Sequence, residues 1–170
     1  HRFFQTRNGV VEYKVNGGDG VDIRKKDPHL YVFNAAFTKG MKPLVEDIWP
    51  KIKAKIPEAK LICIGGFYTF KDGQMDAQGQ DWLKMSQDPK NKELGIEFTG
   101  VIKQSEIAEI LARATYKLFP GAFPETFGIS SLESLLYNTP IIGTRFGALE
   151  ETAVSEACYM IDYAIEPNSL

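Results

Sequence analysis

The sequence has few of the residues that metal sites and nucleophilic sites need. Its 170 residues include 2 cysteines and 2 histidines, too few for a disulfide framework or a zinc site. Cys63 and Cys158 each lie in a short apolar run, where we expect buried free thiols in a reducing compartment. His1 and His29 precede the regular part of the chain, which argues against a Ser-His-Asp or Cys-His system after a strand.

Long apolar runs and an excess of one charge sign are also absent. No run reaches the ~18–20 residues of a membrane span, so we expect no transmembrane segment. The 20 Lys+Arg against 22 Asp+Glu give a net charge of -2. The chain therefore lacks the strong positive field of nucleic-acid-binding proteins, although a small basic pocket remains possible. Neither G-x-G-x-x-G nor G-x-x-x-x-G-K-[ST] occurs, so dinucleotide-fingerprint and P-loop chemistry lack support.

The chain does contain short apolar runs that alternate with helical periodicity. The runs that predict buried strands are Leu30–Phe33, Leu61–Gly65, Ile96–Gly100, Tyr116–Pro120, Pro140–Thr144 and, as a sixth candidate, Cys158–Asp162. The segments that predict helices are Met41–Ile56 with a kink or break at Pro50, Asp81–Gln87, Ser105–Ala114, Gly128–Tyr137 and Ala148–Val154. This alternation predicts an α/β fold, a Rossmann-like doubly wound open parallel sheet of about six strands with helices on both faces.

Residues 1–28 differ from the rest because they are polar and rich in glycine. They predict a linker or a hairpin, in which Gly9–Val15 and Gly20–Ile23 flank a turn at Asn16–Gly20. Residues 29–170 then form the domain. Within it, the polar segment 66–93 is expected to be irregular apart from its one short helix.

Ligands of such sheets bind outside the carboxyl ends of the strands, which directs attention to the loops there. The most informative loop contains Glu125 just before a predicted helix, and Glu133 lies within that helix. Free N–H groups at the helix start would favour an anion, and Glu133 would accept hydrogen bonds from vicinal hydroxyls if it faces the crevice. In the simpler interpretation, Glu125 caps the helix and Glu133 is solvated.

The segment PETFGISSLESLLYNTPIIGTRFGALEE, residues 124–151, resembles the C-terminal, donor-binding half of retaining GT-B glycosyltransferases, the family called glycosyl transferases group 1. It has the family's Glu-x-Phe-Gly turn, a second Glu eight positions after the first, Thr-Pro and a Gly-Ala-Leu-Glu run in order. Upstream, Lys39-Gly40, Gly65-Gly66 and FTGVIKQSEIAEILARA follow the same order. The resemblance covers roughly residues 30–155.

The resemblance implies a hexosyltransferase that moves a sugar from a nucleotide-diphosphate sugar to an acceptor hydroxyl, with no metal or other cofactor. The implied catalytic residues are Glu125, which contacts hydroxyls of the donor sugar, and Lys39, which supports the leaving diphosphate. Glu133 would bind the ribose. The other implied donor-binding residues are Phe127, Gly128 and Ile129 facing the diphosphate, Val101 and Ile102 bordering the base, and Gly65, Gly66, Asn34 and Lys103.

This sequence departs from the family pattern in one residue and in extent. The family usually has an arginine where Asn34 stands, which leaves the pocket one cation fewer unless Arg145 or Lys103 substitutes. The acceptor-binding N-terminal half has no counterpart here, so we expect a donor domain from a longer cytoplasmic enzyme, inactive alone. Any contact with the membrane, or with a glycan, lipid or protein acceptor, would come through the missing half.

Two other functions remain open at this point. One is a non-catalytic nucleotide or sugar-phosphate binding or scaffolding domain of the same fold, since one fold hosts many functions. The other is a phosphosugar isomerase or epimerase, which would need a titratable base in the crevice.

Overall fold

A computed structural model of the protein describes residues 9–15, 25–65, 70–71, 74–75, 77–121, 124–153 and 156–162. Its strands are β1 (Asp27–Asn34), β2 (Lys60–Ile64), β3 (Phe70–Lys71), β4 (Gln74–Met75), β5 (Ile96–Gly100), β6 (Ala114–Phe119), β7 (Ile141–Arg145) and β8 (Tyr159–Asp162). Its helices are α1 (Met41–Pro43), α2 (Trp49–Lys55), α3 (Ala77–Gln87), α4 (Pro89–Glu93), α5 (Gln104–Arg113), α6 (Ile129–Leu136) and α7 (Leu149–Thr152).

The main sheet has 6 strands in the order β5-β2-β1-β6-β7-β8, and every neighbouring pair is parallel. Successive residues of β1 enter different hydrophobic clusters. Phe33 packs with Trp49 of α2 in one cluster, whereas Val32 packs with Leu111 of α5 in the other. Helices therefore cover both faces, and the predicted Rossmann-like doubly wound sheet of about six strands is confirmed.

The position of the site follows from the strand order. From β1 the chain passes to β2 and β5 on one side, and it then returns to β6, which lies on the other side of β1 and leads on to β7 and β8. The direction of winding reverses between β1 and β6. In a doubly wound sheet, this reversal opens a crevice at the carboxyl ends of the two strands.

The predicted helix at 41–56 is present, but it adapts to Pro50 instead of breaking there. A π-helical turn, Leu44–Ile48, lies between α1 and α2, and the N–H of Trp49 donates to the carbonyl of Leu44. Proline has no N–H, and its ring clashes with the carbonyl four residues before it in a regular α-helix. We attribute the wider turn to this conflict.

The segment from 66 to 93 contains more regular structure than the sequence predicts. Helix α3 starts at Ala77 instead of near Asp81, and the strands β3 and β4 pair as a small antiparallel ribbon. Helix α4 follows, with Pro89 in its first turn and the Asp88 carboxylate accepting the N–H of Lys90 at 2.9 Å. Proline at the start of a helix and an aspartate cap are standard helix-start signals that our sequence analysis did not use.

Residues 9–15 contact the domain rather than standing apart from it. The N–H of Tyr13 donates to the hydroxyl of Tyr137 at 2.7 Å, and Val15 is buried in the cluster that contains α5. The second half of the predicted hairpin, Gly20–Ile23, lies outside the described residues. Strand β1 begins at Asp27, so the sheet starts before the predicted domain boundary at residue 29. Across the described ranges, no helix is both long enough and apolar enough to cross a bilayer.

Candidate functional site

A cleft of about 350 Å³ opens at the switch between β1 and β6. Its walls are Ala35, Ala36 and Lys39 from the loop after β1, and residues 125–130 from the loop after β6 and the start of α6. The structure therefore brings together five of the predicted site residues: Lys39, Glu125, Phe127, Gly128 and Ile129. They meet in the crevice where ligands of doubly wound sheets bind.

Lys39 and Glu125 form an ion pair across this cleft. Lys39 Nζ lies 2.6 Å from Glu125 Oε2, and the side chains are 32% and 7% exposed respectively. Burial by itself would raise the pKa of Glu125, but Lys39 and the N–H groups of Phe127 and Thr126 outweigh it and hold that pKa below its usual value. The carboxylate therefore stays ionised, and the ammonium of Lys39 retains donors for an anion in the cleft.

A glycine from the next loop fixes the backbone of Glu125. Gly147 forms a parallel β-bridge with Glu125, and the N–H of Ala148 donates to the Glu125 carbonyl at 2.8 Å. Gly147 has a φ of +66°, and a Cβ there would lie 2.5 Å from that same carbonyl oxygen. Only glycine fits this contact, which explains the family-like Gly-Ala run after β7.

Gly128, which directly precedes α6, is a second position where the backbone conformation and the close neighbours favour glycine. Its φ is +81°, and a Cβ would come within 3.2 Å of both Leu149 Cδ2 and Thr152 Oγ1. The N–H groups of Gly128 and of the first helical residues have no acceptor within the helix. They present the positive end of the α6 dipole at the cleft, which favours a bound anion.

Glu133 lies one turn beyond the cleft walls on α6 and is half-buried. Burial raises its pKa, and the charge of Lys117 acts in the opposite direction. Among the described residues, no side chain or amide forms a hydrogen bond or ion pair with its carboxylate. Its acceptor oxygens are therefore available, and its role as the ribose ligand stays a prediction.

Sequence analysis missed Lys117, which lies in the middle of β6 and is fully buried. Its Nζ donates to Ser130 Oγ at 2.8 Å and lies 3.5 Å from Ser131 Oγ; it also stands 5.0 Å from the centre of the Phe119 ring. Burial lowers the pKa of Lys117 to about 7, although Glu133 favours the charged form. The available signal was a lysine within the apolar run Tyr116–Pro120.

Asn34 ends β1 beside the same helix and is 6% exposed. Its Nδ2 lies 3.4 Å from the carbonyl of Ser130, whereas its buried Oδ1 has no partner among the residues that the structure describes. The two cations considered as substitutes at this position do not line the cleft. Arg145 Nε pairs with Asp162 Oδ1 at 3.2 Å, and Lys103 is an exposed residue preceding α5.

The remaining predicted residues lie along the same sheet edge but outside the cleft walls. The N–H of Gly65 donates to the carbonyl of Gly100 at 2.9 Å, which joins the ends of β2 and β5. Val101 is 71% exposed, whereas Ile102 packs against the cluster beneath α5. Gly66 lies outside the described residues.

A model of the family described as Glycosyl transferases group 1 matches residues 28–167. The chain belongs to this family. One relative is the GDP-mannose-dependent alpha-(1-6)-phosphatidylinositol dimannoside mannosyltransferase of Mycobacterium tuberculosis, which is 40% identical over 90 residues. The match covers 51% of this chain and 23% of that relative, so the matched part of the chain spans about a quarter of the relative's length.

Solved structures show the same fold. The pneumococcal O-GlcNAc transferase GtfA in complex with UDP and GlcNAc matches with a TM-score of 0.64 and 17% identity, over 85% of this chain and 26% of that chain. The C-terminal domain of a glycosyl transferase group 1 family protein (LpcC) from Francisella tularensis matches with a TM-score of 0.60 and 22% identity, over 81% of this chain and 69% of that chain. The family predicted from residues 124–151 is therefore confirmed.

Proposed function

We propose that this chain is the nucleotide-sugar-binding domain of a retaining glycosyltransferase, which transfers a sugar from a nucleoside-diphosphate sugar to an acceptor hydroxyl. The observation that carries the proposal is the cleft where Lys39, Glu125 and the N-terminus of α6 meet. Family membership supports it. So do the GDP-mannose dependence of the mycobacterial relative and the UDP and GlcNAc bound to the pneumococcal one.

The positive groups of the cleft suit the diphosphate. Departure of a nucleoside diphosphate concentrates negative charge on its phosphate oxygens, and fixed donors aimed at that charge stabilise the transition state. Lys39 supplies a cation and the start of α6 supplies backbone N–H groups, because both line the same cleft. We propose that these groups take the place that a divalent metal has in other transferases.

The ion pair supports one order of sugar and phosphate in the cleft. Glu125 Oε2 accepts from Lys39 at 2.6 Å and Oε1 lies 3.1 Å from the N–H of Thr126, but each carboxylate oxygen has a further lone pair for a sugar hydroxyl. The phosphate that contacts Lys39 and the hydroxyl that contacts Glu125 are therefore neighbours. In this proposal, the bond between sugar and phosphate would lie beside the pair.

The ribose would lie further along α6, where Glu133 accepts its vicinal hydroxyls. The acceptor and the groups that complete the reaction would come from an N-terminal domain of the whole enzyme. Accordingly, we expect this chain by itself to bind donors and not to transfer sugar.

The direct test is binding of UDP, GDP and ADP to the chain, measured as an increase in melting temperature. A ligand at 100 times its Kd stabilises a fold by ~2.7 kcal/mol, which gives a shift of several degrees. The matching nucleosides, which lack phosphates, should give smaller shifts, and a chelator should change none of them. The absence of a shift with every diphosphate at millimolar concentration would contradict the proposal.

A non-catalytic nucleotide-binding domain is the second candidate, and the Lys39–Glu125 pair favours it because each charge already has a partner. The two candidates differ in the whole protein. In a transferase, the Lys39→Met substitution should lower kcat by a larger factor than it lowers donor affinity, because Lys39 acts most strongly on the charge of the leaving group. A scaffold shows no turnover at all, even with wild-type Lys39.

A further inference from the structure

Lys117 is a buried cation that the proposed donor contacts leave unexplained. Its side chain is fully buried under α6, and no carboxylate within the described ranges lies within ion-pair distance of its Nζ. A buried ammonium without an anionic partner is costly. Replacing it with an apolar residue would remove this cost, so its presence needs a reason other than stability.

The contact that Lys117 does make leads into the cleft. Its Nζ donates to Ser130 Oγ at 2.8 Å, and Ser130 lines the cleft beside Ile129. When an ammonium donates to a hydroxyl oxygen, the hydroxyl proton must point elsewhere. Neutral lysine can instead accept that proton, so the charge on Lys117 decides whether Ser130 is free to donate to a ligand.

A second buried polar group borders the same serine. Within the described residues, the buried Asn34 Oδ1 has no hydrogen-bond partner, while Asn34 Nδ2 lies 3.4 Å from the Ser130 carbonyl. Buried polar atoms normally have partners, and Asn34 Oδ1 can accept from a donor such as a ligand hydroxyl.

We propose that Lys117 is a positioning residue that, from beneath α6, directs the Ser130 hydroxyl toward an anionic group of the ligand in the cleft. The proposal rests on the proposed function, in which that group is the diphosphate. Ser130 would contact the ligand, and Lys117 would act through Ser130. Binding of the anion then draws a proton onto Lys117, because a negative charge nearby stabilises the ammonium.

The charged groups around Lys117 determine the pH range of this effect. Glu133 on α6 and Glu125 in the preceding loop favour its charged form, whereas Lys39 in the loop after β1 opposes it. Burial is the largest influence and brings its pKa to about 7. Proton uptake on binding should therefore be greatest between about pH 7 and 8.5.

The test is calorimetric titration with inorganic pyrophosphate and with UDP, GDP and ADP at pH 6.5, 7.5 and 8.5. Repeating each titration in buffers of different ionisation enthalpy counts the protons taken up. For the wild type we expect uptake of a fraction of a proton, and affinity that falls ~10-fold from pH 6.5 to 8.5 relative to Lys117→Met. Lys117→Met should show only the pH dependence and proton exchange that come from ionisation of the ligand's own phosphates, and it should keep a cooperative melting transition.

Two serine variants separate the relay from a structural role. Ser130→Ala retains the lysine but should weaken pyrophosphate binding ~10-fold, the size of a hydrogen bond to a charged group. Ser131→Ala is the matched control, because Ser131 is fully buried and its Oγ, at 3.5 Å, lies farther from Lys117 Nζ than Ser130 Oγ does. The Ser131→Ala variant should bind pyrophosphate with wild-type affinity. Equal affinities in Ser130→Ala and Ser131→Ala would overturn the relay.

The two proposals fail in different ways. Nucleoside diphosphates that bind Lys117→Met with wild-type affinity and proton uptake would overturn the role of Lys117 and leave the proposed function standing. If pyrophosphate binds with proton uptake but no nucleoside diphosphate binds, the proposed function is wrong and the role of Lys117 stands. If no phosphate compound binds, both proposals are wrong.

Discussion

The two sides of the cleft hold their lysines in opposite ways. On the β1 side, Lys39 is about one-third exposed and is paired with Glu125 at 2.6 Å. On the β6 side, Lys117 is fully buried and donates to serine hydroxyls. The first lysine is accessible from the cleft, which suits direct contact with a ligand. The second can lose its proton near neutral pH, which suits control of a neighbouring group.

The difference shows that burial and pairing, rather than residue type, decide what a lysine does. The Lys39–Glu125 pair is only partly exposed, and Lys39 together with the N–H groups of Thr126 and Phe127 offsets the cost of burying the Glu125 carboxylate. A buried ammonium is costly, but its charge state responds to any anion that binds nearby. Each of the following predictions changes one side of this comparison and leaves the other intact.

The largest effect should be the loss, in Lys117→Met, of a pH dependence of stability that the wild type has. The folded-state pKa of about 7 is below the ordinary lysine pKa of 10.5, so the free energy of unfolding of the wild type should rise as pH increases from about 7 to 10.5. Each pKa unit corresponds to about 1.4 kcal/mol, and the whole rise amounts to a few kcal/mol. Denaturant titrations at several pH values measure it.

The methionine variant should lack this rise and should be the more stable protein at pH 7. Lys26, whose pKa burial lowers to about 8, contributes a rise in both proteins and cancels in the difference. Parallel stability curves for the two proteins would show that Lys117 is not a buried, titrating lysine.

The next largest effect should be in Lys39→Met, on the exposed side. Loss of a charged hydrogen-bond donor to the diphosphate should weaken UDP or GDP binding ~10–100-fold. The control is Lys42→Met, because Lys42 is exposed and does not line the cleft. The double variant Lys39→Met/Glu125→Gln removes both charges of the pair and so keeps their net charge at zero. If it loses as much nucleotide affinity as Lys39→Met does, the loss comes from the missing contact and not from the changed net charge of the cleft. Equal affinities in Lys39→Met and Lys42→Met would exclude Lys39 as a phosphate ligand.

Glu133→Ala should have a smaller and more selective effect. Loss of the ribose contact should weaken nucleoside diphosphates ~10-fold and leave inorganic pyrophosphate unchanged, which competitive titration measures. Glu109→Ala, on the exposed side of α5, is the control. An equal loss for both ligands would show that Glu133 acts by favouring the charged form of Lys117, and not through the ribose.

The smallest effect should be in Glu125→Gln, measured with pyrophosphate. The carboxylate competes with a bound anion for Lys39, so its neutralisation should tighten pyrophosphate binding ~3-fold. Sugar-bearing donors should bind less tightly, because glutamine offers one acceptor oxygen in place of two. Weaker binding of pyrophosphate would show that Glu125 orients Lys39 more than it competes with the ligand.

Much of the architecture could be predicted because it depends on local pattern. Strand β5 occurs exactly where the apolar run Ile96–Gly100 predicts it, and Gly128 marks the start of α6. The π-helical turn before Pro50 could not be predicted in the same way. A proline permits a kink, a break or a wider turn, and packing of the helix against the sheet selects among them.

The fold class, the loops at the carboxyl edge and the acidic residues around α6 follow from local pattern, because periodicity and turn residues act over short distances. Which charges meet depends instead on how the chain packs in space. Lys39 and Glu125 are 86 residues apart, and strand order makes them neighbours. Burial of Lys117 likewise depends on α6 packing over β6, since desolvation and charge interactions follow distances in space rather than along the chain.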